Sequence, residues 1–358
     1  MFSNLFLKSF RVLLLPVSLL YWLIILIRNW LYDKNISRST SFALPVICIG
    51  NLSVGGTGKS PMVEYMISSL KDKFRIATLS RGYKRRTKGY SLANTNTTAL
   101  DIGDEPMQFH TKFPDIPVAV GEERIVAIPL LLHDRPDTQV IILDDAFQHR
   151  AIKAGLNILL TDYNNLFTRD FYLPTGDLRD LRSSYKRADI IIVTKCKPDL
   201  SRREAHEISE EIGLLAHQQI FFTCFAYGQP YHIATQVLQP LTKETEVLLV
   251  AGIANPAPLK KMLEEYSKTY YMNHFPDHHI FTIDDLKEIK KRFERIEATN
   301  KMILTTEKDA MRLMKFKEEI NTLPLFVIPV KHRFLFDSGS VFDSSVNKFI
   351  DNFKSQDI

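Results

Sequence analysis

Cysteine is scarce in this chain of 358 residues: Cys48, Cys196 and Cys224 stand alone, with no CxxC pair and no Cys/His spacing for a zinc site. Cys48 and Cys196 lie in or beside apolar strand-like runs, where a thiol acts as a small hydrophobe. The soluble part therefore reads as cytosolic. Low-complexity tracts and internal repeats are also absent, which leaves an ordinary folded composition with room for two domains. Nor is there a strong charge imbalance. A formal net charge of +5 suits a surface that meets phosphates or anionic lipid, and it does not call for nucleic acid. The cluster Lys84, Arg85, Arg86 and Lys88 reads as a solvated loop.

Near the N-terminus the missing feature is charge. Residues 12–27 (VLLLPVSLLYWLIILI) carry none, with Lys8 and Arg11 before them and Arg28 after. The run is shorter than the about 20 residues a spanning helix needs, though Phe2, Leu5, Phe6, Trp30 and Leu31 would extend it. A small-residue cleavage site is lacking, which disfavours a signal peptide. We expect residues 1–32 to be an uncleaved anchor helix, either spanning once or lying in the interface; an apolar core helix is the alternative. Arg28, Lys34 and Arg38 favour a cytoplasmic side for the chain beyond the helix.

After a polar linker, strand-like and helix-like segments alternate. Strand candidates are 45–51, 75–81, 117–121, 139–145, 157–162 and 189–195; helix candidates are 61–71, 123–134 and 201–219. Apolar strands separated by helices predict a mostly parallel α/β sheet covered on both faces. The expected organisation is a P-loop domain over 33–225, an extended connection over 226–245, and a smaller α/β domain over 246–358.

The strand–helix junction at 51–61 carries SVGGTGKS, Ser53–Ser60. Gly55, Gly56 and Gly58 allow a tight turn whose N–H groups, with those of Ser53, Val54 and Thr57, cradle phosphate; Lys59 would reach the β/γ-phosphates and Ser60 a magnesium ion. Ser53 stands where the usual pattern has Gly. Asp144 and Asp145, ending another strand, are the expected acidic partners of that ion. A guanine-specific Asn-Lys-x-Asp segment is missing: TKCK at 194–197 is the nearest match. So is the lysine that partitioning ATPases carry before the Gly-Gly pair, where this chain has Val54. What remains is an ATP-dependent kinase or another ATPase, such as a membrane-bound nucleotide switch. GDEP (103–106), read as a turn, DDAFQH (144–149) and FPDHHIF (275–281) add carboxylates and histidines where a scaffold displays its chemistry.

With SRGYKR (80–85), LPTGDLRD (173–180), AGIANP (251–256) and TTEKDA (305–310), these motifs resemble the tetraacyldisaccharide 4′-kinase family over nearly the whole chain. Ser53 is then a mark of the family. The resemblance implies transfer of the γ-phosphate of ATP to the 4′-hydroxyl of a tetraacyldisaccharide 1-phosphate, giving lipid IVA on the cytoplasmic face of the bacterial inner membrane. It implies ATP and Mg²⁺ as cofactors and a glycolipid partner, with no protein partner expected. The family's catalytic pair maps onto Asp104 and His278, with Lys59 on the phosphates. Asp144 and Asp145 fall in the magnesium role. Arg81 and Arg179 are candidates to meet phosphate. Ala146 and Asp177 depart from the family's usual Gly and Pro.

Overall fold

The computed structural model describes residues 11–253, 255–277 and 279–354. Its elements run α1 (Leu15–Asp33), β1 (Val46–Asn51), α2 (Lys59–Leu70), β2 (Ile76–Ser80), β3 (Ser91–Leu92), α3 (Ala99–Ile102), α4 (Asp104–Lys112), β4 (Val118–Val120), α5 (Arg124–Asp134), β5 (Val140–Asp144), β6 (Leu156–Asp162), β7 (Ile190–Thr194), α6 (Arg202–Ile212) and β8 (Gln219–Tyr227). A second set comprises β9 (Tyr231–His232), β10 (Glu246–Ala251), α7 (Ala257–Tyr266), β11 (Thr269–His274), α8 (Ile283–Glu294), β12 (Lys301–Thr306), α9 (Glu307–Leu313), α10 (Lys317–Ile320) and β13 (Leu325–Ile328). Then come β14 (Val330–Phe334) and α11 (Gly339–Lys354).

The larger sheet has the order β14-β8-β7-β6-β1-β5-β2-β4-β3, parallel except for the edge strands β14 and β3. The smaller runs β11-β10-β12-β13-β9, with only β9 antiparallel. The strand period of two explains the unbroken apolar runs. Along β1, Val46 and Cys48 pack into the core on one face, and Ile47 and Ile49 into the core on the other. Strand β10 does the same, with Leu248 and Val250 opposite Val247 and Leu249. The expected α/β architecture is therefore present, and β1, with β5 and β6 beside it, puts the Gly-rich loop at the middle of the larger sheet.

Three expectations differ from what is observed. The helix expected over 201–219 stops at Ile212, because Gly213 takes a left-handed conformation (φ 67°), and β8 starts at Gln219. The expected connection over 226–245 contains β9, which pairs with β13. The unit expected over 246–358 gives its end back: β14 pairs with β8, while Phe342, Val346 and Ile350 of α11 fill the core beneath α2. Burying each of these side chains stabilises the fold by about 2 kcal/mol. The smaller unit is thus inserted between β8 and β14. Its two crossings run side by side, the Gly228 N–H donating to the Pro329 carbonyl at 3.0 Å.

Helix α1 is long and apolar enough to cross a membrane by length and composition, and it comes after residues 1–10, which lie outside the described set. It lies against the larger unit with polar residues inward. The Ser18 hydroxyl reaches Thr175 Oγ1 (2.7 Å), the Tyr21 hydroxyl donates to the Arg179 carbonyl (3.3 Å), and Asn29 Nδ2 donates to Asp180 Oδ1 (2.8 Å). Arg150 caps the far end through the Asn29 carbonyl and Asp33. Leu20 (59% exposed), Ile24 (57%) and Ile27 (49%) face away.

Candidate active site

The loop after β1 is shaped by Gly55 (φ 101°) and Gly58 (φ 88°), a backbone region that side chains disfavour. Remote segments hold it. Val54 N–H donates to the Asp177 carbonyl (2.7 Å), and the Thr194 hydroxyl donates to the Thr57 carbonyl (2.8 Å). On β14, burial pushes the His332 imidazole down to about 4, so it is neutral. Its Nε2–H then donates to the Gly58 carbonyl (2.8 Å), while Nδ1 accepts from the Thr223 hydroxyl (2.9 Å).

Lys59 and Ser60 open α2. Lys59 Nζ lies 3.3 Å from Asn51 Oδ1 and 3.7 Å from Asp145 Oδ1. Arg179 Nη1 donates to Asp145 Oδ2 at 3.1 Å. Burial works against ionising Asp145, but Lys59 and Arg179 override it and hold the carboxyl down at about 2. Asp144 differs: burial first, then Glu105 and Asp145, push it up to about 7. Its Oδ2 accepts from the Ser80 hydroxyl at 3.3 Å, while Oδ1 is buried without a hydrogen-bond partner.

That orphaned oxygen, on a carboxyl whose charged neighbours include Glu105 and Asp145, fits a divalent cation. No cage of three acidic, histidine or cysteine residues exists among the described residues. Magnesium does not require one, since it binds through one or two carboxylates plus nucleotide phosphates. Asp145 is the less available ligand, being paired with two cations.

GDEP starts a helix and not a turn: Gly103 (φ 94°) precedes α4, whose first residues are Asp104 and Glu105. Both acids suit the positive end of the helix. The Ser60 hydroxyl donates to Glu105 Oε1 at 2.9 Å, so Asp104 stands one residue from a contact of the Gly-rich loop. Helix α9 of the smaller unit meets the same turn. Lys308 pairs with Glu105, and Arg312 donates to Asp104 Oδ2 from Nε (2.8 Å), with Nη2 in an ion pair to the same oxygen at 2.7 Å. His278 lies outside the described residues. Its neighbour Asp277 interacts electrostatically with Lys308, which puts this loop beside the acids. A cavity of about 780 Å³ opens here between the units; Asp104, Arg312, Met107, Met311, Phe316 and Lys84 share its wall.

A family model described as tetraacyldisaccharide-1-P 4′-kinase matches residues 10–350. The chain belongs to the tetraacyldisaccharide 4′-kinase family. Two proteins named tetraacyldisaccharide 4′-kinase illustrate the relationship. One, from Parabacteroides distasonis, is 44% identical over 358 residues, covering 96% of this chain and 95% of its own. The other, from Flavobacterium johnsoniae, is 46% identical over 341 residues, covering 95% and 97%. Among solved structures, LpxK from Aquifex aeolicus in complex with ATP is similar at 28% identity with a TM-score of 0.74, covering 95% of this chain and 99% of that one. Membership in a kinase family sets aside the nucleotide-switch alternative.

The tetraacyldisaccharide 4′-kinase motifs converge in space. Lys59, Ser60, Asp104, Asp144 and Asp145 meet at one end of the larger sheet, and Arg179 joins them through Asp145. Burial first, then Arg124, Arg28 and the exposed Arg81, press the His149 imidazole down to about 4. Asp177, the departure from the family's Pro, supports Val54 through its carbonyl and pairs with Arg11 at 3.1 Å through its carboxylate. Sequence reasoning missed Asn51, Lys308, Arg312 and His332, and singled out Glu105 only as the second carboxylate of GDEP. For Lys308 and Arg312 a signal existed: two cations four residues apart, on one helix face, just after an apolar strand.

Proposed function

We propose that this chain transfers the γ-phosphate of ATP to the 4′-hydroxyl of a tetraacyldisaccharide 1-phosphate, forming lipid IVA. The carrying observation is the Ser60–Glu105 hydrogen bond. It fixes the start of α4, which bears Asp104, against the residue that would face the ATP phosphates. A phosphoryl acceptor and donor must meet there.

Phosphoryl transfer asks mainly for positioning and charge neutralisation. Lys59 and the loop amides of residues 53–60 hold the β- and γ-phosphates. Ser60 and Asp144, with Asp145 beside them, would hold a magnesium ion, which supplies charge neutralisation on the phosphate oxygens. Asp104 orients the sugar hydroxyl and accepts its proton, with His278 orienting Asp104. The acceptor enters through the cavity that Asp104 lines.

Helix α1 serves as the membrane contact on the cytoplasmic face of the bacterial inner membrane. Its contacts with the body extend from Ser18 to Asp33. A perpendicular span would draw the body segments bonded along the helix, such as Tyr172 and Arg179, into hydrocarbon, where charged side chains are costly. We therefore read α1 as lying in the interface, apolar face in lipid.

Mass spectrometry of the product formed from ATP and tetraacyldisaccharide 1-phosphate tests the reaction; ATP hydrolysis without a phosphorylated lipid refutes it. Asp104→Ala and His278→Ala should each lower kcat by on the order of 10²-fold or more, with ATP binding kept. Near-normal turnover of either variant removes that residue from the chemistry.

A further inference from the structure

We propose that Arg312 is a positioning residue for phosphoryl transfer: from the smaller unit it sets the orientation of Asp104 and ties it to the loop after β10. The inference rests on the reading of Asp104 as the group that takes the acceptor's proton.

The Arg312 side chain is 7% exposed. Its Nε donates to Asp104 Oδ2 (2.8 Å) and its Nη2 lies 2.7 Å from the same oxygen, which holds that oxygen in place. On its other edge Nη1 donates to Asp309 Oδ1 (3.0 Å) and to the Gly252 carbonyl (3.4 Å). Asp309 is fully buried and is itself held, its Oδ2 accepting from the Gly252 N–H (3.0 Å) and the Thr306 hydroxyl (2.7 Å). Helix α9 cannot drift either. At its opposite end Glu307 meets Lys112, the last residue of α4, at 2.6 Å. The two helices are thus joined at both ends, Asp104 to Arg312 and Lys112 to Glu307.

This arrangement gives a use to two sequence motifs that the reaction itself does not absorb. AGIANP supplies Gly252, and TTEKDA supplies Thr306 and Asp309; together they aim one guanidinium across the gap between units. A cation at hydrogen-bond distance favours the ionised carboxylate. Arginine keeps its charge throughout the working pH range, and its planar fork sets direction as well as charge. In a loose transition state, orienting the hydroxyl matters more than early proton removal. Among the described residues, charged groups near Asp104 include Glu105 with its partner Lys308, Asp309, and Lys84 on the wall of the same cavity. None of these donates to Asp104 Oδ2 in the way Arg312 does.

The test uses the full-length enzyme in detergent micelles with ATP and tetraacyldisaccharide 1-phosphate, comparing Arg312→Gln, Arg312→Lys, Asp104→Ala and the double variant Asp104→Ala/Arg312→Gln. Misplacing a reacting group by about 1 Å costs on the order of 10²-fold. Arg312→Gln should therefore lose roughly that much in kcat, with KM for ATP within about twofold. Arg312→Lys should recover part of the loss. The double variant should be no slower than Asp104→Ala, because a residue acting through another is non-additive with it. A kcat within about threefold of wild type for Arg312→Gln overturns the proposal, as does a double variant slower by the product of the two single losses. If Arg312→Gln does not fold, Arg312→Lys decides: kcat down about fivefold or more at unchanged KM for ATP supports the role, and unchanged kcat ends it. An active Asp104→Ala refutes the proton-acceptor reading itself. An inactive Asp104→Ala beside an active Arg312→Gln refutes only this inference.

Discussion

Replacing Lys112 by Met should weaken the fold in a pH-dependent way. Lys112 Nζ lies 2.6 Å from Glu64 Oε2 on α2 and 2.6 Å from Glu307 Oε1 on α9. Glu64 and Glu307 are 5% and 4% exposed. Even with Lys112 and Gln108 opposing the shift, burial and then Glu307 push Glu64 from 4.5 up to about 7. The difference corresponds to roughly 3 kcal/mol. Because the folded-state value is raised, proton binding by Glu64 favours the native state below about pH 4.5, and that advantage is lost as pH rises towards 7. Without Lys112, two buried carboxylates face each other and the loss extends to higher pH. Breaking a buried pair from one side costs about 3–5 kcal/mol. The deficit of Lys112→Met in urea unfolding should therefore approach that range at about pH 8 and shrink at about pH 6. Glu64→Gln, which removes one of the two acids, should change in the opposite sense, gaining on wild type as pH rises. A deficit below about 1 kcal/mol, or one independent of pH, would refute the reasoning.

Gly58→Ala would place a Cβ 3.0 Å from His332 Cε1 and 3.3 Å from Phe225 Cε1 at a φ of 88°. It should raise the Kd for ATP by about tenfold or more in a nucleotide titration, since a left-handed residue costs about 1–2 kcal/mol before any clash. A triple change of Leu20, Ile24 and Ile27 to Ser alters only the outward face of α1. It should abolish co-sedimentation with anionic lipid vesicles while moving Tm by no more than about 2 °C. Retained sedimentation would show that another surface carries the membrane contact.

Much of this site was legible in the sequence, for physical reasons that differ residue by residue. Residues 53–60 announce themselves because glycines, Lys59 and Ser60 sit between an apolar strand and a periodic helix, so local rules suffice. Asp104 was reached through resemblance, while its surroundings were misread: Gly103 in a positive-φ conformation starts α4 instead of closing a turn. The spacing of Lys308 and Arg312 was a signal too weak to use, because charge spacing alone cannot separate a cleft from a solvated face. Lys287 and Arg292 on α8 make comparable pairs, with Asp284 and Glu288, out in solvent. His332 was hidden by distance. Its strand pairs with β8, whose residues lie about a hundred positions earlier, and no local pattern specifies such a partner.

The insertion of the smaller unit between β8 and β14 has a consequence for how the enzyme is made. Chains leave the ribosome N-terminus first, and domains formed early usually complete themselves early. Here the nucleotide-binding half must wait. His332, which grips the Gly58 carbonyl, and Phe342, which fills the core beneath α2, are translated after the whole inserted unit. Until then α1 has already emerged with its apolar face uncovered, while the loop, though held by Asp177 and Thr194, lacks its His332 brace. The nascent chain therefore cannot hold a nucleotide firmly until β14 and α11 have been made.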